Sequence, residues 1–364
     1  MAARRGGLLF APQKKRHPGR LVALLLFLLT VGIVLGLNAV NNSQIGLLKQ
    51  QMSVAGMDQR YEGFTILHIS DLHGRHFGEG QERLYQQIRL ERFHAVCLTG
   101  DLTGQDGDAS ALLELLDRMP DDVPVFLIPG DEDPEPLNGR VLERGVKADF
   151  ITLAEEMGAV YLDSPQKVTF QGRTLWFSPA SLYMTDLQAA DFSLSARRDE
   201  LEAMKLAGFM EPEDEAALRA VNYQMEMLGR TQSARLEMKP DDVYVLLSHL
   251  PLDSEDVASL QEGDRALRHS INFPGRVSLI LSGHWNNGQW RLPILGPVYL
   301  PMNNRGLSDW MPAGGEAAGL AMVHGVPQYI SPGLGASSVY PWWMPMRLFN
   351  KPQISLLTLT NRLI

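Results

Sequence analysis

The sequence predicts a layered α/β domain behind an N-terminal membrane-spanning helix, and three observations carry that prediction. From Phe64 onward, short β-branched and apolar runs alternate with segments of helical spacing. Asp71, Asp101 and Asp131 follow three of those runs at intervals of thirty residues, about the length of one strand–helix–strand unit. Residues 21–37 form an unbroken uncharged stretch, apolar on every face, that continues through Asn38, Ala39 and Val40.

In chain order, residues 1–20 carry Arg4, Arg5, Lys14, Lys15, Arg16 and Arg20 and no acid, so they read as a basic cytoplasmic tail. Residues 21–40 are long enough for a span, which needs roughly 17–25 residues. A cleaved signal peptide is the rival reading, but residues 37–42 lack a small-x-small cleavage pattern. Residues 41–62 are polar and weakly patterned and read as a stalk, and residues 63–364 as the domain itself.

Within the domain, residues 64–70 read as the first strand, 81–92 as a helix with Leu84 and Ile88 on one face, and 95–99 as the second strand. A helix over 109–119, a strand over 123–128 and a helix over 139–157 follow, then strands over 159–162 and 174–177. Residues 194–238 are charged and helical, with Glu211 to Asp214 starting a second helix, and read as a helical insertion. Strands over 243–247 and 277–281 end in Ser248-His249 and Ser282-Gly283-His284.

With six of the 33 basic residues in the tail, 27 remain against 42 acidic ones, so the body carries −15. Such a charge excludes general nucleic-acid binding and discourages lying flat on anionic lipid. The single cysteine, Cys97, lies in an apolar run and reads as a buried thiol, and no intramolecular disulfide can form. Residues 303–320 hold no phosphate-loop pattern, and no serine sits in a nucleophile elbow. The aromatic loop 341–346 reads as packing against the insertion, with the membrane interface as its alternative, and Trp285 and Trp290 as cleft or packing residues.

The chemistry gathers at the strand ends. Five of them present an ionisable or ligating side chain: Asp71 and His73, Asp101, Asp131, His249, and His284. Parallel strands carry these ends to one edge of a sheet, where α/β folds hold ligands. Carboxylate oxygens mixed with imidazole nitrogens suit two divalent ions of borderline hardness such as Mn²⁺, Fe²⁺ or Zn²⁺. Two such ions about 3.5–4 Å apart can share a carboxylate and hold a hydroxide for attack on phosphorus.

Asp71-Leu72-His73, Gly100-Asp101, Gly130-Asp131-Glu132-Asp133, Ser248-His249, Gly283-His284-Trp285-Asn286-Asn287-Gly288-Gln289 and Gly333-Leu334-Gly335 resemble the motifs of the calcineurin-like metallophosphoesterases. The nearest likeness is to the membrane-anchored bacterial branch, whose members hydrolyse phosphate esters outside the cytoplasmic membrane. The resemblance runs from Phe64 to a last strand over 354–359. It implies a four-layer α/β/β/α sandwich of two mixed sheets with helices outside. It also implies one metal position at Asp71, His73, Asp101 and Asn286, and a second at Asp101, Asp131, His249 and His284. A phosphorylated small molecule or a lipid-linked substrate would follow, on a single-pass protein whose domain lies outside the membrane.

The chain departs from that pattern in three places. Asp131-Glu132 stands where the family has Asn-His, and Asn286 where it has a second His. The family's His at 132 protonates the leaving oxygen or steadies the phosphoryl group. Glu132, beside cations, would be ionised and a poor acid, which leaves His76 as an alternative proton donor. The expected function is therefore a metal-dependent phosphoric ester hydrolase. The alternative is an ectodomain that kept the fold and the metals but lost turnover.

Overall fold

The computed structural model describes residues 18–137, 146–183, 185–267, 276–301, 306–312 and 317–362. Part of the basic tail and part of the helix expected over 139–157 lie outside the described residues. The chain divides into two units, residues 1–41 and residues 42–364. In the first, helix α1 (Pro18–Asn42) has 25 residues with an uncharged, solvent-exposed run. At 1.5 Å per residue it is about 37 Å long, enough to cross a bilayer core of about 30 Å.

The second unit builds its first sheet from β1 (Gly46–Ser53), β2 (Thr65–Ile69), β3 (Ala95–Thr99), β4 (Val125–Ile128) and β5 (Ala159–Tyr161). Helices α2 (Glu82–Ile88), α3 (Ser110–Leu116) and α4 (Asp149–Glu156) connect β2 to β5. The second sheet begins with β6 (Gln166–Phe170) and β7 (Arg173–Pro179). Between β7 and β8 (Val243–Ser248) come α5 (Ala180–Tyr183), α6 (Leu187–Ala207) and α7 (Pro212–Glu237). Helix α8 (Ser254–Leu267) leads towards β9 (Leu279–Ser282), and two small antiparallel pairs follow: β10 (Arg291–Leu292) with β11 (Gly296–Pro297), and β12 (Tyr299–Leu300) with β13 (Asp309–Trp310). The chain adds β14 (Gly319–Val323) and β15 (Val326–Ile330) to the second sheet and returns with β16 (Gln353–Thr360) to the first.

The sheet orders are β1-β16-β2-β3-β4-β5 and β14-β15-β9-β8-β7-β6. Strands β2 to β5 are parallel, as are β7, β8, β9 and β15, so the ligand-bearing ends fall on the carboxyl edges of both sheets. Alternation then sorts the side chains. Ile66, Cys97, Phe126 and Leu357 meet Phe177, Val245, Leu247 and Leu281 between the sheets. Leu67, Leu98 and Leu127 face Leu84, Leu112 and Phe150 of the helices outside the first sheet. Leu246 and Ile280 face Val257 and Leu260 of α8 outside the second. The result is the four-layer α/β/β/α sandwich that the motifs implied. Burial pushes the Cys97 thiol far above its ordinary range.

The expected stalk, 41–62, is not one. Its residues 46–53 are β1, paired parallel to β16 along its whole length. Met52, Val54, Met57 and Tyr61 are buried in the inter-sheet core. The polar composition misled because β1 is an edge strand whose Lys49 and Gln51 face solvent. In the loop 341–346, Trp343 lies edge-on to Trp290 at 5.5 Å and stacks on Trp310 at 6.0 Å. Helix α7 starts with Pro212 in its first turn and a reciprocal Glu211–Asp214 capping box.

His68 of β2 is wholly buried, with Nε2 at 2.8 Å from the Thr99 hydroxyl. Burial lowers its pKa to about 3, so the native imidazole stays neutral where the unfolded one is protonated. Between pH 6.5 and 3 the unfolded chain therefore binds the extra proton, and stability falls as pH falls, by about 1.4 kcal/mol per pH unit from this group. Denaturant unfolding at pH 7, 6 and 5 checks this: a His68→Gln variant shows a shallower loss on acidification than the parent chain.

Candidate metal centre

Each ligand candidate sits just beyond a strand, where the backbone must turn sharply to present its side chain inward. Asp71, His73, Asp101, His284 and Asn286 all have left-handed backbone, with φ of 53°, 47°, 53°, 70° and 46°. Such conformations are costly for residues with a Cβ and cluster at functional sites. The glycine of each Gly-Asp pair is required by space. A Cβ on Gly100 would fall on the His249 ring, and one on Gly130 on the Asp101 carboxylate.

The strand ends are tied to one another. The Asp71 amide donates to the Gly100 carbonyl at 3.0 Å, and the His73 amide to the Asp101 carbonyl at 2.9 Å. Asp133, within 9 % of full burial, accepts from the amides of Leu102, Thr103 and Gly130 and from the Thr103 hydroxyl at 2.8–2.9 Å. This carboxylate clamps the β3 end to the β4 end and so sets the spacing of Asp101 and Asp131. Sequence reasoning quoted Asp133 in its motif and assigned it no role; nothing in a tetrapeptide distinguishes a clamp from a ligand.

The side chains converge in two overlapping groups that share Asp101: Asp101, Asp131, His249 and His284 on one side, and Asp71, His73 and Asp101 on the other. In the first group, His249 Nε2 lies 2.8 Å from Asp131 Oδ1 and 3.2 Å from Asp101 Oδ2. His284 Nδ1 lies 3.0 Å from the same Asp131 oxygen, and the two imidazoles stand edge to face at 5.1 Å. His249 Nδ1 is 2.9 Å from the Thr99 carbonyl, which only accepts, so the proton is on Nδ1. Nε2 then faces two carboxylate oxygens, an arrangement that needs a proton or a metal cation between them.

The electrostatics agree. Burial alone would lower the His249 pKa, but Asp101, Asp131 and Asp71 raise it well above the ordinary value. Burial disfavours charge on Asp131 and Asp101, yet the histidines beside them hold both carboxyls below their usual range. Burial, reinforced by Asp101, pushes Asp71 above it. Asp101 Oδ2 is buried and accepts no hydrogen bond from the described residues. A pocket of acids short of positive charge, with an open lone pair at its centre, fits a divalent cation.

The remaining candidates behave differently. Glu132 accepts at Oε1 from the Ser338 amide at 2.9 Å and from the Ser338 hydroxyl, while Oε2 lies 3.2 Å from His73 Nδ1. It is placed to orient His73 and to tie the 331–339 loop over the site. Asn286 is wholly buried, and its Oδ1 accepts from Arg347 Nη1 at 3.3 Å, so the oxygen expected to ligate points at a guanidinium. His76, expected as an alternative proton donor, is not in the centre: its Nδ1 pairs with Glu114 on α3 at 2.9 Å. The β2–α2 loop swings its ring outward, half-exposed. Arg347, Ser338 and Thr99 carry no sequence signal; each reaches the site through a loop or a strand end that the motifs do not cover.

Beside His249 opens a cleft of about 370 Å³, lined largely by apolar groups including Ile128, Pro129, Leu162, Leu182 and Met227.

The family model described as calcineurin-like phosphoesterase matches residues 64–287. No curated protein sequence matches the chain. Among solved structures, phosphopantetheinyl hydrolase from Mycobacterium tuberculosis aligns over 74 % of this chain and 89 % of its own, at 15 % identity and a TM-score of 0.35.

The Asp133 clamp gives a measurable expectation. Asp133→Ala leaves three amides and a hydroxyl without their acceptor and lowers stability by about 2–4 kcal/mol. Chemical denaturation reads that loss, and calorimetry with Mn²⁺ reads a parallel fall in metal affinity as Asp101 and Asp131 drift apart.

Proposed function

Because the chain belongs to the calcineurin-like phosphoesterase family, we propose that it is a metal-dependent hydrolase of phosphoric ester or anhydride bonds. The observation that carries this reading is His249 Nε2, turned by the Thr99 carbonyl towards the oxygens of Asp101 and Asp131. Asp101, Asp131, His249 and His284 would hold one ion, and Asp71, His73 and Asp101 a second. Divalent ions there supply charge neutralisation for a phosphoryl group and lower the pKa of water in their shell.

The protein's own groups set the rest. Among the described residues at the centre, neither Glu132 nor His76 is placed to give a proton to a leaving oxygen, since one is bound to Ser338 and His73 and the other to Glu114. The site therefore favours substrates whose leaving group departs without protonation, such as pyrophosphates and aryl phosphates. The apolar cleft beside His249 suits the organic part of a phosphorylated small molecule or a lipid-linked substrate. Helix α1 would anchor the domain on the outer face of the cytoplasmic membrane, with the basic tail inside.

A second reading has an observation of its own. The groups at 132 and 286 are engaged by Ser338 and Arg347, which supports a metal-binding ectodomain without turnover. Hydrolysis of an aryl phosphate and a phosphodiester with added Mn²⁺ separates the two. The hydrolase reading expects turnover that chelation abolishes and His249→Ala lowers by more than the 10–100-fold typical of outer-shell changes. The ectodomain reading expects none until Asp131→Asn, Glu132→His and Asn286→His are combined.

A further inference from the structure

We propose that the two metal positions are unequal by design: the Asp131 side is a high-affinity site, and the Asp71 side is weakened by a built-in substitute, the Glu132–His73–Asn286–Arg347 chain. This rests on the metal-centre reading above and concerns how that centre fills.

Two histidines stand in different surroundings. On the Asp131 side, His249 is left with a nitrogen facing two carboxylate oxygens, and only a cation or an added proton relieves that contact. On the Asp71 side, His73 Nε2 meets one carboxylate oxygen, Asp101 Oδ2, and only at 3.7 Å, and both of its ring nitrogens have other neighbours. Its Nδ1 faces the Glu132 carboxylate at 3.2 Å, which puts the proton there. Its Nε2, the nitrogen that would ligate, lies 3.4 Å from the Asn286 amide nitrogen.

The orientation of that amide is decided by Arg347. The guanidinium is only 1 % exposed and donates to the carbonyls of Gly335, Pro332 and Asn350, to Asn350 Oδ1 and to Asn286 Oδ1. A guanidinium has no acceptor, so Asn286 must offer it oxygen and must present NH₂ to His73. A flip would set N–H against N–H. The backbone holds Asn286 as well, its carbonyl accepting from Asn350 Nδ2 at 2.8 Å.

Asp71 is similarly committed: Oδ1 accepts from the His284 amide at 2.8 Å and Oδ2 from the Ser70 hydroxyl. An ion on this side would meet a donor where it needs a lone pair, next to a buried guanidinium whose pKa burial lowers to about 9, against the opposing pull of Asp71. Arg347 thus supplies inside the protein part of the positive charge that a second ion would bring.

Mn²⁺ titration of the full chain in detergent, followed by calorimetry and electron paramagnetic resonance, tests this without any activity measurement. The expected result is one ion per chain with the six-line spectrum of an isolated Mn²⁺, and a second bound at least 100-fold more weakly. Asn286→Asp keeps an oxygen on Arg347 and puts the other against His73, so it strengthens the second ion at least 10-fold and brings in a spin-coupled spectrum. Two ions of similar affinity in the parent chain, spin-coupled from the first additions, overturn the inequality while leaving the metal centre intact. So does an Asn286→Asp chain whose second ion is no tighter. Binding of no ion overturns the metal centre itself and the inequality with it.

Discussion

The centre depends on one electrostatic constraint: the carboxylates of buried Asp71 and Asp101 and of part-exposed Asp131 gather in two overlapping groups that share Asp101. Two unit charges 4 Å apart repel by about 4 kcal/mol at an effective dielectric of 20, so three acids cannot gather there unaided. What holds them is covalent and backbone architecture. The glycines at 100 and 130 let the loops approach, left-handed turns aim the side chains inward, and the Asp133 clamp fixes the β3 and β4 ends. Histidines then share the charge, and a cation would complete it. The inter-sheet core, packed by Phe126, Phe177 and their neighbours, is the platform on which this strained edge stands.

Much of this was readable in the chain. The strands leading to Asp71, Asp101, Asp131, His249 and His284 are buried on both faces, so their sequences are near-continuous apolar runs with sharp ends. β1 was missed because an edge strand alternates polar and apolar residues weakly, and β6 because one face is only half-buried and the other is exposed. Proximity in space was the other gap. His76 stands three residues from His73, yet a loop turn sends it to Glu114. Arg347 stands sixty-one residues from Asn286, yet donates to its side chain. Spacing predicts ligands on successive strand ends; it is silent on which partner an amide or a guanidinium will choose.

That silence matters most for the departures at 132 and 286. Taken one at a time in the sequence, each is a lost function: an acid gone at one position, a ligand weakened at the other. In space they meet on the same imidazole. Glu132 takes the proton side of His73, Asn286 faces its other nitrogen, and Arg347 dictates which way Asn286 points. Ser338 anchors one end of this chain, and Gly335, Pro332 and Asn350 the other, so the 331–350 segment closes over the Asp71 side from both ends.

A site decaying without constraint would leave buried polar atoms unpaired, because each unmatched group costs about 1–3 kcal/mol and nothing selects a replacement partner. The opposite is found around His73, where both ring nitrogens and both ends of the Asn286 amide have partners. Among the described residues, Asp101 Oδ2 is a buried carboxylate oxygen of the centre without a hydrogen bond, and it lies nearer to His249 Nε2, at 3.2 Å, than to His73 Nε2, at 3.7 Å. The closer pairing of carboxylates with an imidazole thus lies on the His249 side, where Nε2 meets Asp131 at 2.8 Å and Asp101 at 3.2 Å. That asymmetry is what the proposed inequality expects: one strong cation position with a protein-borne charge beside it.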